Sequence, residues 1–174
     1  MPPVLQNLLV LNGLFFFAQF VAANTLAPSS ALATVLNYLA LYPPGGPEQG
    51  ALLVSNQVGA SPGFWPWQMI SYSFLHGNLS HLFFNMFALW MFGVQVENRW
   101  GSQRFGAFYF ICVLGAAVTH LLFVPDAQTI RTVGGLAQAS VPTVGASGGV
   151  YGILLAFGMM FPNQPIYLYF LFPI

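Results

Sequence analysis

The chain has almost no charged residues. Of its 174 residues only three are arginine and three are acidic, lysine is absent, and 57% are hydrophobic. A soluble domain carries about 25% charged residues, so this composition excludes an ordinary water-exposed surface. The formal net charge is zero. Without a basic patch to neutralise phosphates, a nucleic-acid partner is not expected.

Cysteine and the usual metal ligands are also scarce. The one cysteine, Cys112, cannot form a disulfide within the chain. A zinc protease needs three or four ligands, often in a His-Glu-x-x-His motif, and the sequence contains no such motif. An aspartic protease needs two carboxylates in the membrane, whereas the one aspartate, Asp126, lies between apolar runs. We therefore expect no metal and no cofactor.

Long apolar runs are what the sequence does contain. A helix needs ~20 residues to cross the ~30 Å hydrocarbon core of a bilayer, and four runs are close to that length: 5–23, 74–96, 105–124 and 144–161. A shorter run, 31–42, is expected to be interfacial or re-entrant. A fifth run starts at Pro165 and continues to Ile174, which as a helix reaches only about 15 Å.

These runs predict an all-α membrane protein, a polytopic bundle with about four complete transmembrane helices and the start of a fifth. It forms a single domain, 1–174, that we expect to be incomplete at its C-terminus. Arg99 and Arg104 lie in the short connection between the second and third spans. The positive-inside tendency therefore places that connection and the N-terminus in the cytoplasm. Arg131 lies in a predicted outer loop and argues against this orientation.

Two polar residues, His81 and Asn85, stand four residues apart in the second span. Residues i and i+4 of a helix share one face, so both side chains can donate hydrogen bonds toward one point. In acyl transfer, fixed donors in a dry site stabilise the oxyanion of the transition state by roughly 3–4 kcal/mol each. The alternative is a structural role, because His and Asn often bond neighbouring helices in membranes.

A serine among glycines opens the fourth span, in the sequence GASGGVYG at 145–152. A hydroxyl in hydrocarbon has no water to bond, so Ser147 needs a partner or a function. Ser147 and Tyr151 share one helix face, while glycines on the roughly opposite face let another helix approach closely. Packing alone would explain the glycines. The coincidence of Ser147 with His81 and Asn85 in so apolar a chain favours a nucleophile facing an oxyanion site.

A serine nucleophile needs a base within hydrogen-bond reach, and three histidines are available. His76 is expected at the outer end of the second span, roughly 140° around the helix from His81. His120, near the outer end of the third span, fits an interhelical contact or a surface position. His81 could act as the base if it had no oxyanion role. The residues alone leave this choice open.

Three motifs occur in order between Trp67 and Phe161: HGNLSHLFFN at 76–85, ENRWGS at 97–102 and GASGGVYG at 145–152. Together they resemble the rhomboid family of intramembrane serine proteases. The resemblance implies a rhomboid-like helix bundle. It also implies an intramembrane serine endopeptidase that uses no metal or cofactor.

The resemblance further implies roles for individual residues. Ser147 would be the nucleophile, and His81 and Asn85, with the backbone amide of Ser147, would form the oxyanion hole. Tyr151 would pack against the ring of the catalytic histidine. Gly145 would let the backbone turn into the site.

The polar turn at 97–102 would have a structural role, with Glu97 and Arg99 fixing the helix end. In rhomboids the general base is a histidine on the sixth helix, and no position of this sequence matches it. The resemblance therefore implies that the intact protein cleaves transmembrane-helix substrates near the outer membrane face by a Ser–His dyad. The base would be absent from this chain, which would be inactive alone.

Two other functions remain as alternatives. A noncatalytic rhomboid-like pseudoprotease would bind membrane helices without cutting them. A transporter or channel would need polar or charged residues along a path across the membrane, and no span contains a charge. The expected partners are transmembrane protein substrates and the lipid bilayer. The expected location is a multi-pass position in the bacterial inner membrane.

Overall fold

Helices dominate the fold. The computed structural model describes residues 1–27, 29–46, 49–51, 58–124, 128–132, 135–163, 167–168 and 172–173. Short two-stranded antiparallel hairpins lie outside the helices. In chain order the elements are α1 (Pro3–Thr25), α2 (Ala31–Leu39), β1 (Gln49–Ala51), β2 (Val58–Ala60), α3 (Gln68–Ser71), a 3-10 turn (Tyr72–Phe74), α4 (Leu79–Trp100), α5 (Ser102–Phe123), β3 (Gln128–Thr132), β4 (Gly135–Ala139), α6 (Ser147–Met160), β5 (Tyr167–Leu168) and β6 (Phe172–Pro173).

Within the residues that the structure describes, three helices are long and apolar enough to cross a membrane. Helices α1, α4 and α5 have 23, 22 and 22 residues, with mean hydropathies of 1.7, 1.3 and 1.9. The predicted all-α membrane fold is therefore confirmed. Helix α6 has 14 residues and spans about 21 Å, less than the predicted fourth span. The difference arises because residues 144 and 145 are not helical, Ala146 lies in a turn, and the helix ends at Met160.

The second predicted span begins later than expected, because Asn78 caps α4. The Asn78 backbone is extended and its side-chain oxygen accepts a hydrogen bond from the His81 N–H at 2.8 Å. Such a side-chain bond satisfies one of the N–H groups left free at a helix start. Residues 74–78 therefore precede the helix, and His81 occupies its third position.

The predicted start of a fifth helix at 165–174 is wrong where the structure describes this run. Tyr167–Leu168 pairs antiparallel with Phe172–Pro173. Aromatic residues favour extended backbone, and Pro173 has no N–H for a helical hydrogen bond. The other residues of the run lie outside the described part of the chain.

Helix α6 packs closely against α5 through its glycines. A Cβ added to Gly149 would collide with the Tyr109 ring, and one added to Gly152 would collide with the Cys112 sulfur. The missing side chains allow the two helices to approach, as the glycine spacing predicts. The core around them joins α1, α4, α5 and α6, so α6 is held on a buried face by the rest of the bundle.

The first helix is tied to the end of α4 by a buried carboxylate. Glu97 is 2% exposed. Its two oxygens accept hydrogen bonds from Val4 N–H at 3.0 Å and Leu5 N–H at 2.7 Å. The Ser102 hydroxyl donates to the same carboxylate at 2.7 Å. The carboxylate therefore satisfies two of the N–H groups that a helix leaves unpaired at its start, next to the positive end of the helix dipole.

Replacing Glu97 by alanine is expected to lower the free energy of unfolding by about 3 kcal/mol, because buried N–H groups left without an acceptor cost about 1–3 kcal/mol each. The measurement is reversible unfolding in mixed micelles followed by circular dichroism. Asn98→Ala is the control, because Asn98 is the exposed neighbour on the same helix and should change stability by less than about 0.5 kcal/mol. Equal losses in the two variants would contradict the capping role.

Candidate active site

A cavity of about 280 Å³ lies between α4 and α6. Four residues singled out from the sequence, His81, Asn85, Ser147 and Tyr151, line it. The other lining side chains are apolar: Phe84, Ala88, Val150 and Leu154. His81 and Asn85 of α4 and Ser147 of α6 therefore line the same cavity, whose other walls are apolar.

Ser147 is the first residue of α6, and Ala146 precedes it as the N-cap residue. The first backbone hydrogen bond of the helix runs from Val150 N–H to the Ala146 carbonyl at 3.0 Å. The N–H groups of residues 147–149 therefore have no partner within the helix. They lie at the positive end of the helix dipole, where a negative charge is stabilised.

The segment leading to Ser147 is held by backbone contacts that sequence reasoning missed. Leu41 and Thr143 form an antiparallel bridge, with N–H to carbonyl distances of 3.1 and 2.8 Å. The Gly145 N–H donates to the Tyr72 carbonyl at 3.0 Å, and the Tyr72 hydroxyl donates to the Val113 carbonyl at 2.9 Å. These bonds fix the path of the chain into α6.

Gly145 lies directly against the His81 ring. Its φ of +131° is rarely adopted by residues with a side chain. A Cβ at this position would lie 2.8 Å from Cε1 and 2.9 Å from Nε2 of His81, and 3.8 Å from the Ser147 hydroxyl oxygen. The imidazole and the hydroxyl therefore both lie within 4 Å of one point, and only glycine leaves that point free.

Asn85 lies one turn below His81 on α4 and is 7% exposed. One N–H of its amide donates to the His81 carbonyl at 2.8 Å. An asparagine amide has two N–H donors, so the second is free to donate into the cavity. The arrangement offers a buried amide donor and a ring nitrogen beside the serine.

His76 is not on the helix, as the sequence suggested, but in the segment before it. It is 1% exposed, and its ring centroid lies 5.0 Å from that of His81 in an edge-to-face arrangement. Gln19 of α1 accepts from the His76 N–H at 3.0 Å and donates to its carbonyl at 3.1 Å. Burial, with a smaller contribution from the charge of His81, lowers the pKa of His76 to about 4.

This shift predicts that the protein loses stability in mild acid. The unfolded chain protonates His76 near its ordinary pKa of 6.5, whereas the folded chain does so only near 4. Unfolding therefore takes up a proton between these values, and the free energy of unfolding should fall by up to about 3 kcal/mol as the pH drops through that window. Unfolding curves at a series of pH values, compared with His76→Asn, measure it. Parallel pH profiles for the two proteins would contradict the prediction.

The structure supplies no base for Ser147 in the part of the chain that it describes. Within those residues, no hydrogen bond joins the Ser147 hydroxyl to a histidine nitrogen. His120 contacts the Thr143 hydroxyl instead, with Nε2 at 2.5 Å from it. His120 thus helps to hold the segment that leads into α6. This role is closer to the interhelical contact considered from the sequence than to catalysis.

Comparisons with known proteins identify the family of the chain. A family model of the Rhomboid domain matches residues 64–174. The chain is 32% identical over 106 residues to Rhomboid protein 1, mitochondrial, of Saccharomyces cerevisiae, covering 61% of this chain and 28% of that protein. It is 36% identical over 88 residues to RHOMBOID-like protein 5 of Arabidopsis thaliana, covering 51% and 25% of the two chains.

A bacterial relative is also similar. Rhomboid protease GluP of Bacillus subtilis is 32% identical over 92 residues, which are 53% of this chain and 15% of that protein. The matched segments thus span less than a third of the length of each of these three relatives. No solved structure matches the chain. The family model covers more than half of the sequence, including the cavity between α4 and α6, and the chain is an integral membrane protein that belongs to the rhomboid family.

Proposed function

We propose that the intact protein is an intramembrane serine endopeptidase that cleaves transmembrane helices near the outer face of the membrane. The observation that carries the proposal is the convergence of His81, Asn85 and Ser147 on one cavity. Its setting is a bundle with three helices apolar enough to span a bilayer. A bacterial inner membrane, with the N-terminus in the cytoplasm, is the proposed location.

In this proposal the Ser147 hydroxyl attacks the carbonyl carbon of a peptide bond in an unwound part of the substrate. The carbonyl oxygen gains negative charge and receives hydrogen bonds from His81, from Asn85 and from the free Ser147 N–H. Fixed donors of this kind are effective because they need no reorganisation when the charge develops. The tetrahedral intermediate then collapses, the C–N bond breaks, and the new amine leaves with the proton that the base took from Ser147. Water finally hydrolyses the acyl enzyme, which releases the carboxylate and restores the Ser147 hydroxyl.

The proton of Ser147 must go to a base, and the proposal places that base outside this chain. The family resemblance assigns it to a histidine of a later helix. The neutral His76 and the Thr143-bound His120 are not proposed for this role. Tyr151, which is 72% exposed and lines the cavity, is proposed to support the ring of that histidine.

The test uses protein expressed from the complete coding sequence and a fluorophosphonate probe, which labels an activated serine. We expect labelling of the native protein and none of Ser147→Ala. Ser80→Ala is the matched control, because Ser80 lies in the first turn of α4 as Ser147 does in α6, and it should still be labelled. Labelling that persists in Ser147→Ala would remove Ser147 as the nucleophile.

Asn85→Ala is expected to reduce kcat for peptide-bond cleavage by about 10²–10³, the usual cost of losing one oxyanion donor. The measurement is the rate of cleavage of a reporter transmembrane helix in liposomes. Asn24→Ala is the matched control, because Asn24 also donates to a carbonyl four residues earlier at 2.8 Å but is exposed at the end of α1. A similar decrease in both variants would indicate lost helix stability rather than lost catalysis.

A noncatalytic helix-binding pseudoprotease is the second candidate. The observation that favours it is that Ser147 has no hydrogen-bonded histidine within the described residues. The same probe separates the two functions. A complete protein that folds, binds membrane helices and is never labelled would support the pseudoprotease and overturn the endopeptidase.

A further inference from the structure

A second concave surface lies at the other end of α4 from His81, beside the turn into α5. It has a volume of about 430 Å³ and is lined by Trp100, Arg104, Ala107, Phe108 and Ile111. We call it the Arg104 groove. The groove is shallow and open to its surroundings, and nothing in the proposed proteolytic chemistry uses it.

The groove follows one stripe of α5. Arg104, Phe108 and Ile111 are spaced i, i+4 and i+7, so they share a helix face and extend over about 10 Å of its length. The Trp100 ring stands edge-on to Phe108, with centroids 5.1 Å apart, and forms one wall. Ile111 is 65% exposed. The result is a shallow apolar groove along α5, with the Arg104 cation near the N-terminal end of that helix.

The charges around the groove are not balanced. Glu97, the acid in this turn, is buried and its oxygens already accept from Val4, Leu5 and Ser102. Arg99 and Arg104 are both exposed, and neither forms an ion pair within the residues that the structure describes. This end of the bundle therefore presents two cations without counter-charges, complementary to an anion.

We propose that the Arg104 groove binds an anionic phospholipid of the phosphatidylglycerol type from the surrounding leaflet. The guanidinium of Arg104 would bind the phosphodiester, because its planar fork matches phosphate oxygens. The acyl chain would lie along Phe108 and Ile111. Trp100 is the last residue of the membrane-spanning α4 and would lie at the level of the lipid headgroups, where tryptophan is favoured. The proposal is independent of whether Ser147 is catalytic.

The test measures quenching of tryptophan fluorescence by lipids with brominated acyl chains. The protein is reconstituted in vesicles with brominated phosphatidylglycerol or brominated phosphatidylcholine at equal mole fraction. The chain has four tryptophans, so the Trp100 signal is the difference between the native protein and Trp100→Phe. We expect stronger quenching of Trp100 by the anionic lipid, from which a relative binding constant is obtained.

Arg104→Gln should reduce that relative constant about five-fold, the effect of one cation at a membrane surface. Arg131→Gln is the matched control, because it removes the same charge beyond the opposite end of α5 and should leave the constant unchanged. Arg104→Lys, which keeps the charge and loses the fork, should fall between the two. If Arg104→Gln does not fold, Arg104→Lys is used in its place. A relative binding constant that is unchanged in Arg104→Lys would then overturn the proposal.

Equal quenching by the two lipids would overturn the proposal and make the groove ordinary lipid-facing surface. So would equal losses in Arg104→Gln and Arg131→Gln, which would indicate a general charge effect. Quenching that disappears as the protein-to-lipid ratio rises would place a second copy of the chain in the groove and also overturn it.

Discussion

Replacing Ser147 by alanine in the complete protein is expected to reduce kcat/KM for cleavage of a transmembrane helix by at least about 10⁴. The reason is that a serine nucleophile and its base act as a unit, and removal of the nucleophile alone removes nearly all that the unit contributes. The measurement is cleavage of a reporter transmembrane helix, with Gly and Pro near its outer end, in liposomes that contain the native protein or the variant.

The variant should remain folded, because Ser147 is a partly exposed residue that lines a cavity and loses only a hydroxyl. Its unfolding midpoint in mixed micelles is expected to match that of the native protein. If cleavage falls only a few-fold while folding is unchanged, Ser147 is not the nucleophile. Activity lost together with stability would point to a structural role.

Gly145→Ala is also expected to have a large effect, a decrease in cleavage of at least about 10². A backbone held in a region that favours glycine costs about 1–3 kcal/mol for another residue. The new methyl group would also stand 2.8 Å from the His81 ring, so the ring must shift. Displacements of about 1 Å at a reacting centre cost about 10²-fold in rate.

Gly158→Ala is the matched control for this substitution. Gly158 lies within α6, and a Cβ there would meet nothing within 4 Å. The same exchange at an exposed helix position should stabilise the protein by up to about 1 kcal/mol and leave cleavage unchanged. An active Gly145→Ala variant would show that the contact between residue 145 and His81 has no bearing on catalysis.

Hydrophobicity and spacing are sufficient to predict the three long helices and the polar residues that line the cavity. The runs that became α1, α4 and α5 were recognisable because a bilayer requires long apolar helices. The i, i+4 spacing of His81 and Asn85 placed both on one face of α4. Ser147 was expected at the start of a helix, and the structure places it at the first position of α6.

What the sequence did not predict depends on contacts between distant segments. The Leu41–Thr143 bridge and the bond from Gly145 to the Tyr72 carbonyl join residues about 70–100 positions apart, and no periodicity encodes such pairs. The sequence predicts a helical position for His76 because the apolar run continues through it. The helix begins after His76 because Asn78 caps it. Such a cap is a local signal that could have been read from the sequence.

The carboxylate that caps α1 belongs to a residue 92 positions later than Leu5. At a synthesis rate of about 5–20 residues per second, Glu97 leaves the ribosome roughly 5–20 s after the first helix. Throughout that interval the Val4 and Leu5 N–H groups lack the carboxylate that accepts from them in the folded protein. The start of α1 is therefore capped only when the α4–α5 turn has been made, which couples the completion of α1 to the insertion of α4 and α5.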